Sequence, residues 1–331
     1  MQEHARHKGR PEGFAGRWRS GVALVLLIAL ALTAPAVLGR ADSGRSASSP
    51  SPNDPPKNEV RIMSPPNGAP HPLDVPKALA RIFHPRPDPA GTPGRPVSER
   101  DAFVETPDGA RLHARFWLNG LAAPVIVFFH GNGEIVSDYD EIAPLILDAG
   151  LNVVFAEYRG YGLSTGEPGV AALFLDSLAL FDAVMQGLRE CGASGSVLVM
   201  GRSLGSACAL ELAEKRKEEI DGLVIESGFA FTLPLLERLG LDPDALGLGE
   251  ADGFGNLEKM AGWEKPLAVI HAEEDEIIPL ADARALFKAS PSTAKTFLAV
   301  PRAGHNDILL YGMDAYLDEL GLLAARSKPR P

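Results

Sequence analysis

The sequence predicts an α/β domain with a mostly parallel sheet flanked by helices. Two observations lead to this fold class. Short, continuous apolar runs are typical of strands that are buried on both faces, and stretches of helical periodicity lie between those runs. The 331 residues are 45% hydrophobic and 23% charged, which is the composition of a globular chain with enough apolar surface for a large core.

Eight strands are predicted, and the first two, AFVET and RLHARFWL, join through a turn at residues 107–109. The other six strands are predicted at 125–129, 152–158, 197–201, 222–226, 266–271 and 296–300. Helices are predicted at 138–149, 170–188, 204–216, 280–289 and 308–325. Because parallel strands of this kind connect through right-handed crossovers, functional residues are expected just beyond the carboxyl ends of the strands.

The N-terminal residues 1–40 are predicted to be a targeting segment. They hold six Lys or Arg and two Asp or Glu, and an uncharged apolar stretch covers residues 21–39. That stretch is close to the roughly 20 residues needed to span a bilayer. A cleaved signal peptide with Ala34-Pro35-Ala36 as its cleavage site is the alternative, which the proline disfavours. We therefore predict a membrane anchor with the rest of the chain extracytoplasmic, and membrane contact through the uncleaved segment.

The next segment, residues 41–77, is predicted to be a Pro-rich disordered linker. Fourteen of the 28 prolines fall between residues 41 and 96, beside many Ser, Gly and Asp. The apolar patch ALARIFHP at 78–85 is expected to dock onto the folded domain, which we place at 78–331. The chain carries a net charge of −11 in spite of its basic N-terminal segment, so its acidic body argues against nucleic acid as a partner.

A nucleophile is predicted at Ser203. The sequence Gly201-Arg202-Ser203-Leu204-Gly205 follows the predicted strand VLVMG and precedes a helix. G-x-S-x-G between a strand and a helix forms a tight turn that lifts the serine hydroxyl clear of the sheet at a helix N-terminus. The alternative is a glycine-rich helix cap, which the strand before and the helix after make less plausible.

A serine hydroxyl needs a base, normally a histidine that a carboxylate orients. From residue 102 onward the chain has four histidines, and three of them, His113, His130 and His271, lie within or at the end of predicted strands. His305 is the remaining candidate, because it follows the last strand in Gly304-His305-Asn306-Asp307. We therefore predict His305 as the base.

Spacing alone does not identify the carboxylate that orients His305. The segment HAEEDEIIP offers Glu273, Glu274, Asp275 and Glu276, and Glu226 follows the preceding strand. A run of acidic residues before a helix is most often a solvated cap, so at least three of these carboxylates are expected to have no role in catalysis.

Two backbone N–H groups are predicted to form an oxyanion hole. One belongs to Leu204, directly after the serine, and the other to Asn132 in the glycine-containing segment HGNG at 130–133. The glycine-rich turn at 158–164 is predicted to be structural, with Arg159 paired internally. Neither zinc-ligand spacing nor a nucleotide-binding motif is present, and the two cysteines, Cys191 and Cys208, are too few for a disulfide framework. We expect no metal and no cofactor.

Together these residues resemble the α/β-hydrolase superfamily. The segments HGNG, EYRGYGLSTGEP, GRSLG, HAEEDEIIP and AGHND occur in the order of that family, over roughly residues 80–325. The likeness is greatest to its membrane-tethered serine hydrolases, which include acyl-protein thioesterases and serine-aminopeptidase-like relatives. The resemblance implies an α/β-hydrolase fold with a small lid after the sixth strand, at about residues 229–263. It also implies Asp275 as the acid, although Ala272 replaces the usual glycine.

These observations predict a serine hydrolase that cleaves carboxylic esters or thioesters of a small-molecule or acylated substrate through an acyl-enzyme. A serine peptidase could use the same Ser203, His305 and Asp275. A non-catalytic binding protein on a hydrolase fold is the alternative from another class, and a structural membrane-tethered module would leave the order of these three residues unexplained.

Overall fold

The computed structural model describes residues 60–61 and 70–328, and the predicted anchor at 21–39 lies outside them. The strands of the described residues form one nine-stranded sheet in the order β1-β2-β3-β5-β4-β6-β7-β8-β9. Their bounds are β1 Val60–Arg61, β2 Asp101–Glu105, β3 Arg111–Trp117, β4 Val125–Phe129, β5 Asn152–Glu157, β6 Val197–Arg202, β7 Gly222–Glu226, β8 Leu267–Ala272 and β9 Lys295–Val300. Strand β3 is antiparallel to β2 and β5, and the other pairs are parallel.

The predicted fold class is confirmed, with all eight predicted strands in place. Strand β1 is an addition: two residues in a Pro-rich segment carry too little apolar pattern to predict a strand. The predicted helix at 138–149 is a 3₁₀ turn, Val136–Tyr139, followed by a short helix that starts at Ala143. Proline at the second position of that helix is compatible with a helix start, where its missing N–H has no partner to lose.

Eight helices lie on the described part of the chain. Their bounds are α1 Pro76–Ile82, α2 Ala143–Asp148, α3 Val170–Glu190, α4 Gly205–Lys215, α5 Thr232–Arg238, α6 Asn256–Ala261, α7 Leu280–Ala289 and α8 Ile308–Arg326. Helices α2 and α8 cover one face of the sheet, and the other six pack on the opposite face. Every residue of β4, β5, β6, β7 and β8 is buried, as the continuous apolar runs predict.

Helix α3 is the one helix of the described residues that is long and apolar enough to cross a membrane by length and composition. Its residues Leu173, Leu180, Phe181, Val184 and Leu188 are buried in the core beneath the sheet. Because half of its apolar window is buried inside the domain, α3 is a core helix of the α/β fold.

The packed part of the chain begins ahead of the predicted domain boundary at residue 78. Leu73 is buried in the core, and the Asp74 carboxylate accepts hydrogen bonds from the backbone N–H groups of Val170 and Ala171. A carboxylate at this place satisfies free N–H groups of α3 and complements the helix dipole. The predicted docking of 78–85 is also found, since Ile82 and Phe83 are buried.

A buried charged cluster joins β2, β3 and β5. His113 lies between two carboxylates, with Nδ1 at 2.7 Å from Oε2 of Glu157 and Nε2 at 2.9 Å from Oδ1 of Asp101. Burial by itself would lower the pKa of His113, but the hydrogen bonds to Asp101 and Glu157 raise it above 6.5. Since both ring nitrogens face carboxylates, the imidazolium form is the one that fits this site.

We predict that His113 makes the free energy of unfolding depend on pH. Because its folded pKa lies above 6.5, its stabilising charge is complete below about pH 6.5 and is lost as the pH rises through that raised pKa. Each unit of elevation corresponds to about 1.4 kcal/mol. Urea unfolding of wild-type and His113→Gln chains from about pH 6 to 9 should show a falling difference in stability. Arg81→Gln, at an exposed arginine on α1, is the control, and a constant difference for His113→Gln would contradict the assignment.

Candidate active site

The turn between β6 and α4 holds Ser203 in a strained conformation. Its φ angle is 52°, in the left-handed region that non-glycine residues rarely adopt. A Cβ at Gly201 would lie 2.2 Å from the carbonyl oxygen of Gly205, and one at Gly205 would lie 2.1 Å from that of Phe129 in β4. Glycine at 201 therefore lets the turn fold back onto the start of α4, and glycine at 205 lets it approach β4. It places Ser203 at the carboxyl end of β6.

Ser203, His305 and Asp275 form one hydrogen-bonded chain. Nε2 of His305 lies 3.0 Å from Oγ of Ser203, and Nδ1 of His305 lies 2.8 Å from Oδ2 of Asp275. His305 stands on the loop between β9 and α8, and Asp275 on the loop between β8 and α7. With the carboxylate accepting from Nδ1–H, Nε2 is left as an acceptor for the serine hydroxyl. All three predicted residues meet although they lie far apart in sequence.

The Asp275 side chain is fully enclosed and well supplied with donors. Its Oδ1 accepts hydrogen bonds from the backbone N–H groups of Ile277 at 3.0 Å and Ile278 at 2.7 Å. Burial would raise the pKa of Asp275, but the hydrogen bond from His305 and the nearby imidazole bring it below 3.8. The carboxylate is therefore ionised across the neutral range and can hold the His305 ring in one tautomer.

The other candidate acids occupy different places. Glu273 and Glu274 are exposed, whereas Oε2 of Glu276 accepts the backbone N–H of His305 at 3.0 Å. Glu226 is buried and paired with Arg202 through Oε1 at 3.1 Å. Among the five carboxylates that spacing leaves open, Asp275 is the one that contacts the His305 ring.

The three other histidines of the strand region make structural contacts. His113 belongs to the charged cluster described above. Nδ1 of His130 donates to the carbonyl oxygen of Gly131 at 2.8 Å, and Nε2 of His271 donates to that of Ile278 at 2.9 Å. Burial lowers the pKa of both His130 and His271, so both rings are neutral at neutral pH.

The backbone N–H groups of Asn132 and Leu204 are available near the serine. Within residues 70–328, neither group donates a hydrogen bond to another part of the chain. Leu204 directly follows Ser203, and Asn132 lies in the loop that follows β4. The Asn132 side chain is fully engaged, because Oδ1 and Nδ2 each make two hydrogen bonds to protein atoms. The backbone of Asn132, and not its amide side chain, is thus left free for a ligand.

Arg202 is a site residue that the sequence analysis does not single out. Its Nε donates to Oε1 of Glu226 at 3.1 Å, and its guanidinium pairs with Glu134. The remaining nitrogen donates to the carbonyl oxygen of His305 at 2.8 Å and to Oδ1 of Asn306 at 3.1 Å. One side chain therefore ties the serine turn to the histidine loop. A charged residue inside a buried turn must be paired, which is the signal that could have found it.

The two carboxylates that hold Arg202 extend this network. Oε2 of Glu134 accepts the backbone N–H of Gly131 at 2.6 Å and the hydroxyl of Tyr139 at 2.5 Å. Oε2 of Glu226 accepts the hydroxyl of Tyr316 at 2.8 Å. Burial would raise the pKa of Glu134, but the charge of Arg202 lowers it. Through Glu134, the network reaches the loop that carries Asn132.

Two segments near the site were described from the sequence, the turn that contains Arg159 and the region 229–263. Arg159 is paired internally, as predicted, with Nε at 2.5 Å from Asp176 and Nη1 at 2.8 Å from Asp108. The region 229–263 contains α5, two 3₁₀ turns and α6. Its Phe229 and Leu236 are buried core residues.

Across residues 60–61 and 70–328, no group of three or more His, Cys, Asp or Glu is placed to hold a metal ion.

We predict that Gly205→Ala lowers the free energy of unfolding by about 3 kcal/mol or more, because the new Cβ would meet the backbone of β4. Gly321→Ala is the matched control, since Gly321 lies inside α8 with nothing within 4 Å of the added Cβ. The control should raise stability by up to about 1 kcal/mol through helix propensity. Urea unfolding followed by circular dichroism measures both, and equal stability of the two variants would refute the steric argument.

Comparison of the sequence with known proteins finds hydrolases. The family described as serine aminopeptidase, S33, matches residues 122–236. Alpha/beta hydrolase domain-containing protein aho-3 of Caenorhabditis elegans is 29% identical over 201 residues, which cover 59% of this chain and 55% of that protein. Protein 17C of the same domain type from Mus musculus is 30% identical over 211 residues, which cover 62% of this chain and 60% of that protein. The chain thus spans less than two thirds of the length of these relatives.

Comparison of the fold finds solved structures of the same architecture. An esterase from Pyrococcus furiosus matches with a TM-score of 0.56 at 18% identity, over 82% of this chain and 99% of that one. Est1E from Butyrivibrio proteoclasticus, solved with ferulic acid bound, matches with a TM-score of 0.56 at 18% identity, over 66% of this chain and 96% of that one. The chain has the fold of the α/β hydrolases, and its sequence relatives support the same superfamily.

Proposed function

We propose that the protein is a serine hydrolase that cleaves carboxylic esters or thioesters through an acyl-enzyme intermediate. The single observation that carries this proposal is the hydrogen-bonded chain from Ser203 through His305 to Asp275. A serine hydroxyl is a weak nucleophile by itself, and it becomes reactive when a neighbouring base removes its proton during attack. His305 is within hydrogen-bond reach of that proton.

In the first step, Oγ of Ser203 attacks the substrate carbonyl carbon while Nε2 of His305 takes the hydroxyl proton. The imidazolium that forms lies next to the ionised Asp275, which stabilises its charge and fixes its tautomer. Imidazolium then gives the proton to the departing alcohol or thiol. The serine is left as an acyl ester.

The developing oxyanion is held by the backbone N–H groups of Leu204 and Asn132 in this proposal. Both N–H groups are free of partners within residues 70–328, as donors reserved for a ligand should be. Leu204 also precedes the first turn of α4, whose dipole favours negative charge at that end.

In the second step, water attacks the acyl-enzyme and His305 again takes the proton. Collapse of the second tetrahedral intermediate returns the proton to Oγ of Ser203 and releases the carboxylic acid. Ser203 and His305 are 9% and 4% exposed, so the reacting groups lie in a site largely screened from bulk water. Because little water is present to screen these charges, the electrostatic interactions among the oxyanion, the imidazolium and Asp275 are strengthened.

A serine peptidase is the second candidate, since the matched family at residues 122–236 is described as serine aminopeptidase. Amide hydrolysis would use the same three residues with a poorer leaving group. Matched ester and amide substrates with one acyl group separate the two activities. A higher kcat/KM for the ester or thioester is expected here, and a preference for the amide would favour the peptidase.

Location is proposed from the N-terminal sequence. The apolar residues 21–39 with a basic flank would anchor the chain with the hydrolase domain on the extracytoplasmic side. Protease treatment of intact cells tests this proposal, because only an extracytoplasmic domain would be digested without permeabilisation.

We predict that Ser203→Ala lowers kcat for p-nitrophenyl acyl esters by about 10⁵-fold or more, because Ser203 is the hydroxyl that contacts Nε2 of His305 among residues 70–328. The hydroxyl is the only group removed, so the circular dichroism spectrum should match that of the wild type. Covalent labelling by a fluorophosphonate probe should be lost in parallel. Full ester turnover by the folded variant would refute the proposed nucleophile and favour a non-catalytic role for the site.

We predict that Asp275→Asn lowers kcat by about 10⁴-fold, since an amide in place of the carboxylate can hold the His305 ring in the wrong tautomer. The matched control is Glu273→Gln, an exposed carboxylate on the same loop, for which kcat should stay within about twofold. Steady-state kinetics on one ester compare the two variants. A larger loss for Glu273→Gln than for Asp275→Asn would move the acid to another residue.

A further inference from the structure

A short segment between β1 and β2 contacts the loop that carries Asn132. We call residues 82–86 the strap and residues 130–133 the glycine loop. The strap begins at Ile82, the last residue of α1, and its first two residues, Ile82 and Phe83, are 4% and 5% exposed. Burial of these two side chains fixes the strap to the core, so its polar groups reach the glycine loop from a set position.

The Asn132 side chain is the main contact between the two segments. Its Oδ1 accepts the backbone N–H of His84 at 2.9 Å and the hydroxyl of Tyr161 at 2.7 Å. Its Nδ2 donates to the carbonyl oxygen of Ile82 and to Nδ1 of His84, both at 2.8 Å. Both donor hydrogens and both acceptor positions of the amide are used, so the geometry of Asn132 is specified from two sides.

Arg86 makes a second contact with the glycine loop. Its Nε donates to the carbonyl oxygen of Gly133 at 2.7 Å, and its guanidinium pairs with Asp138. The same Oδ2 of Asp138 accepts the backbone N–H of Ile135 at 2.9 Å. Arg86 thus holds the residue after Asn132 and also the turn that follows the loop.

The far end of the strap is fixed by the turn after β5. The carbonyl oxygen of Arg86 accepts the backbone N–H of Gly162 at 2.8 Å, and the backbone N–H of Asp88 donates to the carbonyl oxygen of Gly162 at 3.1 Å. Tyr161, which donates to Asn132, is the neighbour of Gly162 and is completely buried. The strap, the turn and the glycine loop therefore form one hydrogen-bonded unit.

We propose that the strap and Tyr161 position the backbone N–H of Asn132 for the oxyanion. This inference rests on the proposed function, because it gives a role in turnover to residues that touch neither substrate nor Ser203. An oxyanion donor is effective only when its N–H is held at the place where charge develops. Four hydrogen bonds to the Asn132 side chain and one to Gly133 leave the backbone between them little freedom.

The test uses three variants of the full chain. Asn132→Ala keeps the backbone N–H but removes all four side-chain hydrogen bonds, Tyr161→Phe removes one hydroxyl, and Arg86→Ala removes the bond to Gly133. Each should lower kcat for a p-nitrophenyl ester by about tenfold to a hundredfold, with KM within about twofold of wild type, because the interaction is made in the transition state. Arg81→Ala is the matched control, an exposed arginine on α1, and its kcat should be unchanged.

A second readout separates positioning from mere stabilisation. The dissociation constant of a trifluoromethyl ketone, whose hemiketal oxyanion occupies the same place, should rise in each variant in proportion to the loss of kcat. Unchanged kcat and ketone affinity in folded Arg86→Ala and Tyr161→Phe chains would overturn the proposal, as would a loss seen in KM alone. Failure of the proposed function is distinguishable, since it would appear as ester turnover by Ser203→Ala.

Discussion

The site depends on one steric constraint, the close approach of the turn at Ser203 to the end of β4. Cβ atoms at Gly201 and Gly205 would each come within about 2 Å of a backbone carbonyl, so the turn tolerates no side chain at either place. The price is a serine at a φ of 52°, a strain of about 1–3 kcal/mol that the surrounding hydrogen bonds offset. Ser203 donates its N–H to the carbonyl oxygen of Glu226, and Ser206 donates its hydroxyl to the carbonyl oxygen of Ser203. The strain keeps the hydroxyl above the sheet and within reach of His305.

The buried charge beneath this turn explains how separate loops keep one geometry. Arg202 is largely shielded from bulk water, so its guanidinium must be satisfied by protein groups. Those groups come from two loops and from the end of β7. Burial works to lower the pKa of Arg202, but Glu134 and Glu226 raise it, and the group stays charged. A lone carboxylate or guanidinium here would be costly, so the members of the network hold one another in place. Since Glu134 also binds the backbone N–H of Gly131, the histidine loop and the glycine loop share one charged centre.

The sequence predicts most of this fold because its signals are local. Continuous apolar runs mark β4 to β8 correctly, and the order of Ser203 and His305 follows from strand ends and elimination. Asp275 needed the family resemblance, since four acids in a row have the same spacing and only the fold determines which one faces the imidazole. The role of Arg202 and the contact between the strap and Asn132 were missed for a different reason. The buried position of Arg202 indicates that its charge is paired, but its partner Glu134 lies 68 residues away. Asn132 lies 48 residues from His84. No short-range pattern identifies partners at such separations.

The topology of the sheet explains why the glycine loop and the serine turn meet at all. Strand β4 has β5 on one side and β6 on the other. The chain passes from β4 to β5 on the first side, then returns past β4 to β6 and continues outward to β7. Helices α2 and α4, which follow the two loops, consequently pack on opposite faces of the sheet. The loops diverge at this switch point and leave a crevice at the carboxyl ends of the strands. The two ends of the glycine loop are supported differently at this crevice. Gly131 is held by Glu134 of the charged network, whereas Asn132 is held through its side chain by the strap and Tyr161.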